Sequence, residues 1–325
     1  MEKKIRYLSL FSGIGSPEMA LRDLNIDYEL VGFSEIDKNA IKSYCAVHGV
    51  DESLNIGDIT KVNIDTLPND IDLLTHGSPC QAFSSCGKQL GGDEGSGTTS
   101  SLMWNTVEII RAKKPKIVIW ENVKNVLSKK HKHNFEKYLK ELDLLGYKSV
   151  YKVIDSKDLG TPMNRERIFV ISLLNHKEFD FSNIKYDNVA NIRDYLEDGL
   201  SDENIKVSED ITPGCRAEFL KHYDNIINCN KDNYDCRAKS GFQDKKVGIK
   251  ISYCIRANST NTHILDNKTI RKLTPKEFWR FMNFSDTDFE IAKLSGVSNT
   301  NLCKLAGNSI DLKIMKELFR ILFVK

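Results

Sequence analysis

Ile71-Asp72-Leu73-Leu74-Thr75-His76-Gly77-Ser78-Pro79-Cys80-Gln81-Ala82-Phe83-Ser84 is the stretch on which the fold turns. Residues 71–75 are a short, mostly aliphatic run with the pattern of a buried strand; Gly77, Ser78 and Pro79 break regular structure behind it and leave Cys80 on a turn at the strand's end. In an open α/β sheet, ligands and chemistry gather at that end. A lone cysteine is ordinarily a small buried hydrophobe, and that reading serves most of the eight cysteines here. Cys80 differs. Pro79 fixes the turn before it, the polar Gln81 and Ser84 behind it can hold a substrate, and a glycine-rich loop follows, which a packed thiol does not require.

Working outward, Gly87-Lys88-Gln89-Leu90-Gly91-Gly92-Asp93-Glu94-Gly95-Ser96-Gly97 carries five glycines in eleven residues. A loop of that composition and length reads as a functional lid. A helix is expected over residues 101–111, with Leu102, Val107, Ile109 and Ile110 toward the core. Lys116-Ile117-Val118-Ile119-Trp120 is then a buried strand with Glu121-Asn122-Val123 at its end. A surface Glu is the ordinary alternative, but this apolar run delivers Glu121 to the edge that holds Cys80, where burial would favour the protonated acid.

Toward the N-terminus, Ile5-Arg6-Tyr7-Leu8-Ser9-Leu10 reads as a strand and Phe11-Ser12-Gly13-Ile14-Gly15-Ser16-Pro17 as a tight turn into a helix that Pro17 suits. Strand, glycine turn and helix make a nucleotide-cofactor element, yet Glu18 stands where the dinucleotide fingerprint has its third glycine. A phosphate would be repelled by that carboxylate; a cofactor without phosphates, such as S-adenosyl-L-methionine, tolerates it. The second strand, residues 28–34, delivers Glu35 where a ribose's hydroxyls are usually accepted. Asp37 reads instead as the cap of a helix from Lys38 to His48, and Asn55-Ile56-Gly57-Asp58-Ile59 places an acid after a third short strand.

Downstream, residues 135–145 form an amphipathic helix ended by Gly146, residues 147–154 alternate like a strand, and Arg165-Glu166-Arg167 leads into a strand at 168–172. Two arginines two apart on an extended segment share a face, an arrangement that a solvated salt-bridge ladder also explains. Beyond residue 180 the α/β rhythm stops. Residues 187–210 are acidic, and residues 214–250 mix lysines and arginines with acids and aromatics, which suits a nucleic-acid surface as well as a solvated small domain. Thr274-Pro275-Lys276-Glu277 is a capped helix start, and a last helix is expected over 312–322.

With 325 residues and 40% hydrophobic content the chain can bury one large core or two. The apolar run after Met1-Glu2-Lys3-Lys4 is too short for a secretory or membrane-spanning segment, so a cytoplasmic protein is expected. No Cys-x-x-Cys pair occurs, which favours free thiols over disulfides or zinc, and no metal is expected. A net charge of +2 neither requires nor excludes nucleic acid, since phosphate binding needs a local basic face.

Ser78-Pro79-Cys80-Gln81-Ala82-Phe83-Ser84 resembles the nucleophile motif of the DNA (cytosine-5) methyltransferases of bacterial and phage type, whose commonest form has a second proline where this chain has Ser78. Five further stretches between residues 8 and 310 match that family in order. The resemblance implies an α/β fold: a doubly wound, mostly parallel sheet of the S-adenosylmethionine-dependent methyltransferase type with a second, smaller target-recognition domain. Residues 1–185 with 304–325 would form the discontinuous catalytic domain and 186–303 the recognition domain and hinge. It further implies that Cys80 attacks a flipped-out cytosine assisted by Glu121, Arg165 and Arg167, that S-adenosyl-L-methionine is consumed to S-adenosyl-L-homocysteine, and that duplex DNA is the partner. Met163 stands where the family usually has Gln before its arginine motif, so only the two arginines carry over.

The cofactor site is expected from Phe11, Ser12, Gly13, Ile14, Gly15, Glu35, Pro79 and Leu102. By the resemblance, Asp58 meets the adenine amino group, Ile36 and Ile59 cover its ring, and Asn308 and Ser309 close over the methionine end. Ile251-Ser252-Tyr253-Cys254-Ile255-Arg256-Ala257 resembles the strand that closes a recognition domain. Contacts to DNA are expected from Gln81, Ser84, Ser85 and Lys88 beside the chemistry and from Arg237, Lys239, Gln243 and Arg256 in the recognition domain. A monomer is expected, with a restriction endonuclease as a possible companion. The tRNA-methylating branch of the family is the near alternative, disfavoured by the insert after residue 180 that could read duplex sequence. A nicotinamide-dependent oxidoreductase is disfavoured by Glu18 and the thiol–carboxylate pair. A non-catalytic DNA-binding regulator is disfavoured because the reactive residues are all present.

Overall fold

The computed structural model describes residues 4–79, 91–175, 177–200, 236–238, 247–249, 251–252, 254–257, 262–266 and 269–324. Cys80, Gln81, Ser84, Ser85, Lys88, Lys239 and Gln243 lie outside the described residues, as do residues 87–90 of the expected lid. The chain folds as two compact units: Met1–Ile154 with Glu166–Ile184 and Met315–Lys325, and Asp155–Arg165 with Lys185–Ile314.

The first unit is built on strands β1 (Ile5–Leu10), β2 (Tyr28–Ser34), β3 (Leu73–His76), β4 (Ile117–Val123), β5 (Tyr147–Asp155) and β6 (Glu166–Leu174), with helices α1 (Ser16–Asp23), α2 (Lys38–His48), α3 (Met103–Lys113) and α4 (Lys132–Leu144) between them. The sheet order is β2-β1-β3-β4-β6-β5. β1 runs parallel to β2 and β3, β3 parallel to β4, and β6 antiparallel to β4. The chain therefore steps to one side of β1 for β2 and to the other for β3. Beyond the carboxyl ends of strands at such a reversal the connecting loops part and leave a crevice. Leu8, Leu10, Leu74, Val118, Trp120, Ile168 and Val170 from the strands pack with Met103, Val107 and Ile110 of α3 and Phe135, Tyr138 and Leu142 of α4 in one buried cluster.

The expected α/β fold is the one observed, with local differences. Of the third short strand expected before Asp58 only the Phe33–Asn55 bridge forms, ahead of a 3-10 turn at Ile59–Lys61 that the Asp58 side chain begins by accepting from the Thr60 N–H. β4 runs three residues past Trp120, since Glu121, Asn122 and Val123 pair with Phe169, Ile168 and Arg167 of β6. The helix expected from residue 101 is a 3-10 turn, Thr99–Leu102, running into α3.

In the second unit, β7 (Cys236–Ala238), β8 (Val247–Ile249), β9 (His263–Asp266) and β10 (Thr269–Lys272) form a four-stranded sheet in the order β10-β9-β7-β8. Residues 251–257, expected as a strand, make only the parallel Met163–Ser252 bridge among the described residues. Helices α5 (Pro275–Phe281), α6 (Asp286–Leu294) and α7 (Asn299–Asn308) follow, then α8 (Leu312–Phe323), whose residues from Met315 belong to the first unit. α5 opens with the expected capping box between Thr274 and Glu277. Ser285 and Ser298 cap α6 and α7, neither of which was expected. Among the described residues no helix is long and apolar enough to cross a membrane.

Candidate active site

Two turns of the first unit meet at the carboxyl edge of its sheet. The first follows β1. Phe11 sits at φ 55°, a conformation bulky side chains avoid, and Gly13 and Gly15 at 57° and 78°. A Cβ on Gly15 would lie 2.1 Å from His48 Nε2, so only glycine lets α2 approach this turn. His48 Nε2 also lies 3.0 Å from the Ile14 carbonyl. The Glu35 carboxylate, delivered by β2, accepts from the Gly13 N–H at 2.9 Å and from the Ile36 and Asp37 N–H groups at 2.8 and 2.9 Å. It is thus fixed by three amides, two on Oε1 and one on Oε2, which leaves Oε2 one lone pair for a further donor.

Asn55 braces the same corner. Its Oδ1 accepts from the Glu35 and Gly57 N–H groups at 3.1 and 3.0 Å, and its Nδ2 donates to the Glu35 carbonyl at 3.0 Å. Ile36 beside it is 71% exposed, an apolar side chain open to a planar ligand, whereas Ile59 is buried in the core cluster. The Thr60 backbone N–H bonded to Asp58 holds its carboxyl below the usual range. Glu18 is buried and accepts from the Tyr44 hydroxyl at 2.7 Å.

The second turn follows β3. Ser78, where the family motif commonly has proline, accepts from Trp120 Nε1 at 3.1 Å and from Asn122 Nδ2 at 3.3 Å, and its carbonyl accepts from Asn122 Nδ2 at 3.0 Å. A proline offers no hydroxyl for this, so the departure from the motif ties the turn to β4. Pro79 accepts from Ser100 Oγ at 2.8 Å. Glu121 comes from β4 so close to this turn that a Cβ on Gly77 would lie 3.6 Å from its Oε2. Arg167 of β6 reaches Glu121 Oε1 with Nε at 3.1 Å, the two side chains 17% and 13% exposed. Beneath the turn His76 is buried, 2.9 Å from the Tyr138 hydroxyl and stacked parallel to Trp120, and burial pushes its imidazole down to about 3.

The described stem of the glycine loop is fastened to α3 and α4. Trp104 Nε1 donates to the Gly92 carbonyl at 2.8 Å, Asp93 lies 2.6 Å from His133 Nε2, and Lys137 Nζ lies 2.5 Å from Glu94. Leu102 packs, partly buried, against the core cluster.

The two arginines read as a pair part company. Arg165 belongs to the second unit, is buried, and donates to the carbonyls of Ile255, Gly307 and Ser309 at 2.8, 3.2 and 2.5 Å. Its own N–H is held by Asp155 at 2.7 Å. In the same unit Asn308 is exposed at the end of α7, and Ser309 gives its hydroxyl to the Leu305 carbonyl at 2.8 Å. A Cβ on Gly307 would fall 2.3 Å from the Arg256 backbone, so only glycine permits that crossing. Arg256 itself is exposed, and Arg237 lies on β7. Among the described residues no group of three His, Cys, Asp or Glu side chains could hold a metal ion.

Sequence reasoning missed Asn55, Asn122 and the bracing role of Ser78. Asn55-Ile56-Gly57 was a legible turn signal; the other two depend on which strand lies beside β3.

The family model for C-5 cytosine-specific DNA methylase matches residues 5–323. A type II methyltransferase of Lactococcus lactis subsp. cremoris, M2.ScrFI, is 34% identical across 98% of this chain and 99% of its own. The orphan methyltransferase M.SPRI of Bacillus phage SPR is 29% identical, covering 98% and 97%. In structure, the S. pombe Dnmt2 methyltransferase superposes with a TM-score of 0.71 at 22% identity, covering 98% of both chains. A putative DNA modification methyltransferase from an E. coli prophage gives 0.65 at 14% identity, covering 98% and 99%. Those two likenesses concern the fold.

Proposed function

We propose that this chain transfers a methyl group to C5 of a cytosine in duplex DNA, on the premise that it belongs to the C-5 cytosine-specific DNA methylase family. The observation that carries the reading is the convergence of the Gly77–Ser78–Pro79 turn, which leads into Cys80, with the Glu121–Arg167 pair.

Cytosine C5 is a poor nucleophile. The Cys80 thiolate adds to C6, and the ring electrons that the new S–C bond displaces make C5 enamine-like. Glu121, carrying or sharing a proton, hydrogen-bonds N3 and offsets the negative charge pushed into the ring. Once C5 has taken the methyl group, loss of its proton and breakage of the S–C6 bond return the thiolate and restore aromaticity. Arg167 orients Glu121, and Arg165 holds the segment that precedes β6. Because C6 is inaccessible in a duplex, the base must leave the stack.

S-adenosylmethionine, when bound, supplies the electrophilic methyl group. The residues after β1 fit it: Glu35 is fixed by three amides with one Oε2 lone pair left for a ribose hydroxyl, and exposed Ile36 offers an apolar face to adenine. Residues 1–185 and 304–325 serve the chemistry, and 186–303 supply the base-reading side chains that chemistry alone lacks. Arg237, Lys239, Gln243 and Arg256 are the readers in this proposal.

Duplex DNA bearing 5-fluorocytosine should trap a complex that survives denaturation, and Cys80→Ala should abolish it. A complex that persists in Cys80→Ala overturns the nucleophile. S-adenosylmethionine should raise the melting temperature, as ligands of the native state do; stabilisation by NAD instead would overturn the cofactor. Bisulfite sequencing of DNA from expressing cells then reads the methylated site.

A further inference from the structure

The turn after β4 concentrates positive charge for which the proposed chemistry has no use. Lys124-Asn125-Val126-Leu127-Ser128-Lys129-Lys130-His131-Lys132-His133 contains four lysines and no acid, a formal +4 within ten residues of a chain whose total is +2. The turn is firmly built. Val126, His131 and Phe135 are buried beneath it, the Ser128 N–H donates to the Asn125 carbonyl at 3.0 Å, and the His131 and Lys132 N–H groups donate to the Ser128 carbonyl at 2.9 Å. Lys124, Lys129, Lys130, Lys132 and His133 are left exposed.

Three of these five are engaged: Lys124 with Glu166 at 2.7 Å, Lys132 with Glu136 at 3.0 Å, and His133 with Asp93 at 2.6 Å. Lys129 and Lys130 have no ion pair among the described residues. Two adjacent exposed ammonium groups repel one another unless an anion of several charges lies across them. Their place in the fold sets them beside the proposed site. The turn continues directly from the strand that carries Glu121, and the His131 ring lies 3.8 Å from where a Cβ of Gly91 would project, so it also borders the stem of the glycine loop.

We propose that Lys129 and Lys130 bind the phosphate backbone of the duplex whose cytosine enters the crevice, an inference that rests on the DNA reading above. Lysine suits this task as a mobile point charge; it holds phosphate without reading sequence, so it would steady the strand whichever bases flank the target. Binding of this kind is visible as counterion release.

The test is DNA affinity of the full chain, measured across a salt series on a substrate duplex and on an unrelated one. The double variant Lys129→Ala/Lys130→Ala should bind both DNAs more weakly by about tenfold per lysine near 0.1 M salt, and the slope of log affinity against log salt should fall by about 2. Lys129→Arg/Lys130→Arg should restore both. Lys114→Gln removes an exposed charge at the opposite edge of the sheet, between α3 and β4, and should change neither. Unchanged melting temperatures verify that the variants fold. A wild-type slope in the double variant, or an equal loss in Lys114→Gln, overturns the proposal while leaving the methyltransferase reading intact. A wild-type protein that methylates RNA and neither binds nor methylates duplex DNA overturns that reading instead, and the proposal with it.

Discussion

Arg165 and Arg167 are separated by one residue, yet the first is buried among the carbonyls of Ile255, Gly307 and Ser309 in the second unit, and the second is part-exposed against Glu121 in the first. Around Arg165 the polar groups are closed upon themselves. The nearby Asp311 is equally enclosed, accepting from Thr161, Asn283 and the Lys313 N–H, and burial raises its carboxyl above the usual range. Groups so enclosed hold chain segments together and have little left to offer a ligand. The crevice of the first unit is the opposite case. Glu35, fixed by the amides of Gly13, Ile36 and Asp37, and Glu121, held by Arg167, stay part-exposed at the sheet's edge, which is how a preorganised site is made.

The comparison predicts where rate and stability separate. Glu121→Gln should slow single-turnover methyl transfer on the order of 10²–10⁴-fold with little change in melting temperature. A near-normal rate would move Glu121 into the class of Arg165.

His76 is the next largest case, because it lies under the crevice but is as enclosed as Arg165. Its imidazole is charged below about 6.5 when unfolded and only below about 3 when folded. The folded state therefore binds fewer protons in that window, and its stability, full above pH 6.5, should fall as the pH drops toward 3, by about 4 kcal/mol at the limit. Urea denaturation of the wild type and His76→Phe at several pH values checks this. The same acid-side slope in both proteins would assign the loss to other groups.

Arg165→Ala should cost about 3 kcal/mol of unfolding free energy by leaving buried carbonyls without donors. Arg167→Ala should lose less stability and show its effect in kcat. Equal melting temperatures for the two variants would break the comparison outright. The smallest effect should come from Ser78→Ala, about 1–2 kcal/mol for the lost acceptor of Trp120 and Asn122. Thermal denaturation resolves it, and a null shift would mean that the turn is held elsewhere.

The helix from Lys38 to His48 was legible to the residue, because Asp37 caps it and Gly49 ends it in the left-handed region, both local signals. The ends of β4 were not, since Glu121 to Val123 become strand only by pairing with β6, some 45 residues away. The place of Glu121 at the sheet's edge followed from the apolar run before it. Its partner did not, because a salt-bridge ladder and a carboxylate clamp look alike in Arg-Glu-Arg, and the acceptors of Arg165 lie 90 to 144 residues downstream.

The return of α8 to the first unit has a consequence for how the protein is made. Residues 5–184 include all six strands of the main sheet, but Met315, Leu318 and Phe319, which are buried, leave the ribosome only after the continuous stretch 185–314 has been synthesised. At bacterial rates that interval is on the order of ten seconds. During it the nascent first unit lacks its last helix and exposes the apolar surface that α8 will cover, while the second unit has its contiguous sequence in hand. Translation thus schedules the first unit to finish last, and a stall near residue 310 would leave it unfinished and open to chaperones and proteases.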